Sequence, residues 1–297
     1  MAGYAIIQAM QWFFRQFARL PLAWLHALGI ATGWLVYWTS SGYAARMREN
    51  ISRSGLCASP DACRQLLHQG IGEAGKSVLE LPAIWLRPYE DVLKLVRKVE
   101  GWDKVAEQSR GGRGILFLTP HLGCFEISSL FIASHMPITI LYRPPKLRWT
   151  EPPMLAGRGR GQVSMAPTDL KGVKALLKAL KRGQSAGILP DQVPGKGEGV
   201  WADFFGRPAY TMTLVQRLQH STGAAIVLVF AERLPGGQGY DLWFDPLPEA
   251  LPEDATQAAR ALNAAVEDLA RRNPAQYLWS YNRYKAPKGS REEAEKQ

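Results

Sequence analysis

The segment Thr119-Pro120-His121-Leu122-Gly123-Cys124-Phe125-Glu126 gathers the residue types that move protons. An apolar run from Gly114 to Leu118 reads as a buried strand that breaks at Thr-Pro, and a helix-like run from Cys124 to Ser134 follows. His121 and Glu126 do not share a face of a continuous helix, because at roughly 100° per residue they diverge by about 140°. They meet if His121 lies in the turn and Glu126 in the first helical turn, with Gly123 relieving the crowding there. An imidazole at the carboxyl end of a strand, oriented by a carboxylate, is the construction of a general base. The competing reading is a core histidine beside a surface glutamate, and the strand-to-helix corner favours the base.

Other chemistry-bearing residues follow predicted strands in the same way. Leu141-Tyr142-Arg143-Pro144 puts Arg143 on the rim expected for His121, where a planar guanidinium suits a phosphate or carboxylate; a locally paired surface arginine fits the sequence equally well. Lys146, Arg148, Arg158 and Arg160 lie in a Gly/Pro-rich stretch with no evident helix or strand, so a mobile anion-binding loop and a merely solvated one both fit. Ile188-Leu189-Pro190-Asp191-Gln192 again runs from strand to polar rim. The glycines of Gly195-Lys196-Gly197-Glu198-Gly199 beyond it lack the Lys-Ser/Thr and the following helix of a phosphate-binding P-loop. The aromatics of Trp201 to Ala209, with Arg207 among them, fit a core or the lining of a lipid pocket.

The elements that must position these residues alternate. Strands are expected at Gly114–Thr119, Ile138–Tyr142, Ala186–Leu189, Ala224–Phe230 and Tyr240–Phe244. Helices are expected at Asp61–Leu86, Tyr89–Lys98, Cys124–Ser134, Leu170–Arg182, Thr211–Ser221 and Asp254–Arg272. That pattern implies an α/β fold, a mostly parallel central sheet flanked by helices, with its site at the carboxyl ends of the strands. The stretch from Leu20 to Trp38 carries no formal charge; its nineteen residues as a helix reach roughly 28 Å, close to the ~30 Å hydrocarbon thickness of a bilayer. A membrane-anchoring helix is favoured over a buried one, and the aromatic-cationic run Gln11–Arg19 before it resembles an interfacial helix. A late start and the lack of a small-x-small site argue against a cleaved signal peptide. The chain therefore divides into an N-terminal anchor with interfacial helices (1–45), an α/β domain (46–284) and a disordered tail (285–297). Three cysteines, an odd number without C-x-x-C or zinc spacing, suggest no disulfide framework and a reducing compartment. A net charge of +10 calls for an anionic partner. Without a nucleic-acid-binding motif, an anionic lipid or an acidic carrier protein ranks above nucleic acid.

Taken together, His121-x-x-x-x-Glu126, Tyr142-Arg143, Pro190-Asp191-Gln192, Phe204 to Ala209 and the closing Gln276 to Lys285 resemble the late acyltransferases of lipid A biosynthesis, within the lysophospholipid acyltransferase superfamily. The resemblance covers nearly the whole chain. It departs in having no proline in the strand at Ala224–Phe230 and no histidine near Tyr281. It implies a glycerolphosphate-acyltransferase-like fold, a bacterial inner-membrane location with the catalytic domain on the cytoplasmic side, and no cofactor or metal. It further implies acyl transfer from an acyl carrier protein thioester to a hydroxyl of an anionic, Kdo-bearing glycolipid. His121 would be the base and Glu126 its orienting carboxylate. Arg143 would hold an acceptor phosphate or sugar acid, with Asp191, Gln192, Arg158, Arg160 and Arg207 as further binding candidates. The carrier would dock on Lys174, Lys178 and Lys181 or on the Arg158/Arg160 loop. A lysophospholipid, ornithine lipid or glycosylated phosphoinositide acceptor, an acyl-Cys124 intermediate, and a non-catalytic membrane adaptor are the alternatives.

Overall fold

In the computed structural model, residues 14–145 and 147–287 are described, apart from the side chain of Arg148. The aromatic-cationic run before residue 14, Lys146 and the tail beyond residue 287 therefore lie outside the described residues. After a short helical turn at residues 14–18 come α1 (Leu22–Thr39), α2 (Ser41–Ser52), α3 (Pro60–Leu79), α4 (Leu81–Leu86), α5 (Tyr89–Leu93), β1 (Val96–Glu100), α6 (Trp102–Arg110), β2 (Ile115–Leu118) and α7 (Phe125–His135). The chain continues through β3 (Ile138–Tyr142), α8 (Glu151–Arg158), β4 (Val163–Pro167), α9 (Leu170–Lys181), β5 (Ser185–Ile188), β6 (Gly199–Phe204), β7 (Arg207–Met212), α10 (Leu214–Thr222), β8 (Ala225–Arg233), β9 (Tyr240–Pro246) and α11 (Ala255–Arg272).

Seven strands form one sheet in the order β1-β9-β8-β2-β5-β3-β4, in which only the β8/β9 pair is antiparallel. The expected mixed α/β fold with a mostly parallel central sheet flanked by helices is what the chain adopts. Strand β2 shows why. Its side chains alternate between two buried layers, Ile115 and Phe117 packing with α7, Leu116 and Leu118 with α9 and α11. All four residues are buried, as a central strand covered on both faces requires.

Several expectations need correction. The helix expected at Tyr89–Lys98 stops at Leu93, because Val96–Glu100 pairs as an edge strand with β9. Thr211 is not helical but pairs with Val200 in the hairpin β6/β7, and α10 begins at Leu214. The hairpin turns at Phe205 and Gly206, both with positive φ (48° and 67°), as a two-residue turn of matching twist demands. Phe205 is held there by its N–H donating to Glu267 Oε1 at 2.9 Å and by its ring against Trp279. Cys57 and Cys63 form a disulfide across the α2–α3 connection, their Cα atoms 5.2 Å apart, where the odd cysteine count had suggested none.

The N-terminal apolar stretch is helical, but among the described residues no helix is long and apolar enough to cross a membrane. Instead α1 lies along α3 through glycines: a Cβ on Gly75 would stand 1.9 Å from the Gly29 carbonyl oxygen, and one on Gly33 2.3 Å from that of Ile71. Leu22, Leu25, His26, Gly29 and Gly33 form the buried face of α1. Trp24, Leu28, Leu35 and Trp38 are 46–73% exposed and, at 3.6 residues per turn, fall within an arc of about 80° on the opposite side.

Candidate active site

Strands β2 and β5 are parallel neighbours with Leu118 opposite Ile188. Each is followed by two residues, of which the second is proline, and then by a polar residue: Thr119-Pro120-His121 and Leu189-Pro190-Asp191. Equal offsets from a register pair carry His121 and Asp191 to the same place beyond the sheet's carboxyl edge. Asp191 clamps His121 twice, accepting from the backbone N–H on Oδ2 and from the ring at Nδ1 on Oδ1, both at 2.9 Å. Burial pushes the Asp191 carboxyl up, but the His121 ring, its two hydrogen bonds and Arg283 beyond outweigh that and hold its pKa below the ordinary value. Asp191 is therefore ionised at neutral pH and can only accept, so the proton sits on Nδ1 and the lone pair on Nε2. That nitrogen points outward to the side-chain amide nitrogen of Gln192, 3.2 Å away.

The turn that presents His121 is fixed from below. Gly123 has φ +60°, and a Cβ there would stand 2.0 Å from the Ala231 carbonyl oxygen. Backbone bonds run from Gly123 N to Gln276 O (3.1 Å), from Cys124 N to Ala231 O (2.9 Å) and from Leu278 N to His121 O (2.9 Å). The C-terminal segment thus backs the turn that carries His121. Tyr281 lies parallel to the imidazole with ring centroids 6.3 Å apart, and its hydroxyl accepts from Val193 N at 3.0 Å.

The expected His121–Glu126 pairing is replaced. Glu126 is buried in the first turn of α7, where Arg158 donates to both its oxygens and Trp85 Nε1 donates to Oε2 at 3.2 Å. With both oxygens engaged there, the carboxylate on the ring is Asp191. Burial pushes the Arg158 pKa down, and Glu126 more than reverses this to raise it. Glu126 and Arg158 line a cleft with Phe117, Phe125, Ile138 and Ile140 that reaches Thr119 at the rim and Gly187 within β5. A Cβ on Gly187 would come within 3.0 Å of Ile140 and 3.3 Å of Ile138, so the glycine keeps this wall thin.

The other candidates separate. Gln192 joins His121, and Arg143 is exposed just past β3; burial raises the Tyr281 pKa, and Arg143 is near enough to temper that rise slightly. The stretch carrying Arg158 and Arg160 is not a free loop: α8 occupies Glu151–Arg158, and Arg160 donates to the carbonyls of Gly157, Arg87 and Ile84. Arg207 pairs with Glu49 at 3.0 Å and stacks on Tyr284 at 3.8 Å, tying the hairpin to α2. Cys124 is 2% exposed, and burial, with Glu80 nearby, pushes its pKa well above the ordinary thiol value, so it is no nucleophile. On sequence alone Asp191 is a binding candidate rather than the partner of His121; the repeated strand-x-Pro-polar pattern is the signal that points to the pairing.

The sequence profile described as bacterial lipid A biosynthesis acyltransferase matches residues 1–286. The chain is similar to the lipid A biosynthesis palmitoleoyltransferase of Escherichia coli (strain K12), with 27% identity covering 92% of this chain and 94% of that one. It is 28% identical to the lipid A biosynthesis lauroyltransferase of the same organism, over 91% and 89% of the two chains. A lipid A biosynthesis acyltransferase of Haemophilus influenzae is 27% identical over 90% and 86%.

Proposed function

The chain belongs to the bacterial lipid A biosynthesis acyltransferases and is an acyltransferase, and from that premise we propose that it transfers a fatty acyl chain from an acyl carrier protein thioester to a hydroxyl of a Kdo-bearing lipid A precursor. The observation that carries the mechanism is the double clamp of Asp191 on His121, which directs Nδ1–H to the carboxylate and turns Nε2 outward, with the ring against Phe125 of the apolar cleft. The acceptor hydroxyl takes the place of the Gln192 amide at Nε2 and gives up its proton as its oxygen bonds to the thioester carbonyl carbon. Asp191 stabilises the imidazolium so formed. The tetrahedral intermediate then collapses with cleavage of the carbon–sulfur bond, and the proton on Nε2 passes to the departing thiolate. General-base help of this kind contributes roughly 10²- to 10⁴-fold, with positioning supplying much of the rest.

In this reading the acyl chain lies in the cleft between Phe117, Ile138 and Ile140, and Glu126 acts by fixing Arg158 in its wall, with Trp85 bonded to Glu126 from outside it. Arg143 holds an acceptor phosphate or Kdo carboxylate. Lys174, Lys178 and Lys181 on the exposed side of α9 receive the acidic carrier. The Trp24/Leu28/Leu35/Trp38 stripe seats the molecule on the cytoplasmic side of the bacterial inner membrane, where its acceptor resides.

The test is to incubate the detergent-solubilised chain with mixed acyl carrier protein thioesters and the Kdo-bearing precursor, beside His121→Ala. One added acyl mass on the lipid, absent with the variant, is expected, and its size gives the chain length. An unchanged precursor with intact thioester would overturn the donor and acceptor assignment.

A further inference from the structure

A second cavity is lined by Trp85, whose indole N–H donates to Glu126, and shares no lining residue with the acyl cleft. Phe14, Pro82, Trp85, Leu86, Trp149 and Pro153 make it an almost wholly apolar slot of about 890 Å³, its mouth included. Through Arg15, Trp85, Leu86 and Ala156 it is continuous with a groove walled by Arg15, Arg19, Arg87 and Arg160. No acidic residue lines the slot or the groove, and none of these four arginines forms a salt bridge among the described residues. The two inner ones are oriented by backbone carbonyls: Arg87 donates to Ala18 O (2.7 Å) and Leu20 O (2.6 Å), and Arg160 to Gly157 O and Arg87 O (both 2.7 Å). Burial pushes the pKa of both downward, with Asp91 only partly offsetting it at Arg87, so two half-buried positive charges stand together outside any salt bridge among the described residues. Arg15 and Arg19 are exposed at the mouth.

The position adds the last constraint. The groove includes Ala18 and Arg19, immediately before Pro21 and α1, and the exposed apolar stripe of α1 starts at Trp24. An apolar slot opening into a cationic groove, at the foot of an apolar helix face, matches an amphiphile with a hydrocarbon chain and a phosphate. A free anion would leave the slot empty, and a lipid without net charge would leave the positive charge of four arginines, two of them held only by backbone carbonyls, without a counter-charge.

We propose that slot and groove together bind one anionic glycerophospholipid, its acyl chain against Trp85 and Trp149 and its phosphate among Arg15, Arg19, Arg87 and Arg160, at a site separate from those of acyl donor and acceptor. The bound lipid joins the 14–18 turn to α4 and α8, which carry Trp85, a donor to Glu126, and Arg158, in the wall of the acyl cleft.

The full chain in neutral detergent is titrated with phosphatidylglycerol, phosphatidylcholine or inorganic phosphate and examined by native mass spectrometry. One phosphatidylglycerol is expected, held about tenfold or more tighter than phosphatidylcholine, equivalent to one or more charge-assisted contacts. Arg15→Gln/Arg19→Gln removes that preference without touching the carbonyl-bound pair. Ala156→Trp, at an exposed position on the rim of the slot, blocks the chain and loses the bound lipid while the thermal midpoint is unchanged. Equal binding of the two lipids, or unaltered binding in both variants, overturns the proposal. Displacement by inorganic phosphate with Ala156→Trp silent would mean a bare anion groove. Displacement by the Kdo-bearing precursor mole for mole would make this the acceptor's own site. Neither result depends on whether the acyl transfer proposed above is observed.

Discussion

Two carboxylates stand near the catalytic turn, and their hydrogen bonds give them different work. Asp191 touches the imidazole and should govern the chemical step, whereas Glu126 touches Arg158 and Trp85 and should govern the wall of the cleft. Asp191→Asn is nearly isosteric, but its amide cannot supply the negative charge that fixes the Nδ1–H tautomer and stabilises the imidazolium. We expect kcat to fall by roughly 10²- to 10⁴-fold with KM for both substrates little changed. Glu126→Gln instead leaves the partly buried Arg158 without its counter-charge, so the thermal midpoint should drop, reflecting a loss of up to about 3 kcal/mol. KM for the acyl donor should rise more than kcat falls. Steady-state kinetics with thermal melts on the two variants separate the assignments; a larger kcat loss in Glu126→Gln than in Asp191→Asn would reverse them.

At the scale of elements, one buried network joins helix to helix to sheet. Glu80, between α3 and α4, accepts from Arg233 of β8 at 2.9 Å and through a second bond at 2.7 Å, and from Tyr240 of β9 at 2.9 Å. His26 of α1 lies 3.1 Å from the same carboxylate, and Glu73 of α3 takes the remaining Arg233 nitrogen at 2.6 Å. Burial raises the Glu80 pKa, but Arg233 and His26 outweigh it and bring it from 4.5 to about 2. A carboxyl with a folded pKa below its unfolded one stabilises the fold above the unfolded pKa and loses that stabilisation as pH falls toward the folded one. Of a contribution on the order of 3 kcal/mol, about 2 kcal/mol should disappear between roughly pH 5 and pH 3. Denaturant unfolding across that interval measures it, and a flat stability would refute the linkage. None of this network was legible in the sequence, because its bonded partners lie up to 160 residues apart and each alone looks like an ordinary polar or charged residue on a helix or strand. Legibility followed locality. Strands β2, β3, β5, β8 and β9 and helices α7, α9 and α11 announced themselves by apolar runs or helical spacing. Edge strand β1 reads as a continued basic helix, and the hairpin β6/β7 hides behind Phe-Phe-Gly, a turn whose positive φ at Phe205 only tertiary contacts sustain. For the same reason His121 was found and its partner was not: the five-residue interval to Glu126 is visible in one dimension, the register between β2 and β5 only in three.

For the whole molecule, the arrangement of charge and apolar surface has a direction. The close approach of Gly29, Gly33 and Gly75 makes α1 part of the folded body, so its outward stripe is presented on a rigid support. Trp24 and Trp38 lie near the two ends of α1 with Leu28 and Leu35 between them, all on one side. A helix so fixed can lie in a membrane interface with that side down. Four large side chains sunk into the acyl boundary each contribute about 1.5–3 kcal/mol at most. That sum suffices for reversible attachment, and the net charge of +10 adds attraction to anionic lipid. Replacing Leu28 and Leu35 by Gln and Trp24 and Trp38 by Ser should therefore release the protein from vesicles containing anionic lipid, as read by co-sedimentation. The fold, judged by thermal midpoint, should survive, since none of these side chains belongs to either buried cluster. Raising the salt concentration should weaken the wild-type protein's binding only in part, because screening removes the charge attraction and leaves the apolar one. Complete release of the wild type by salt alone would mean that basic residues rather than the α1 stripe hold it. Unimpaired sedimentation of the fourfold variant would place the membrane contact on another face. If the stripe is the contact, acyl transfer to acceptor in vesicles should fall in the variant while transfer to acceptor dispersed in detergent micelles is preserved, since the His121–Asp191 turn lies at the sheet edge and uses no residue of α1.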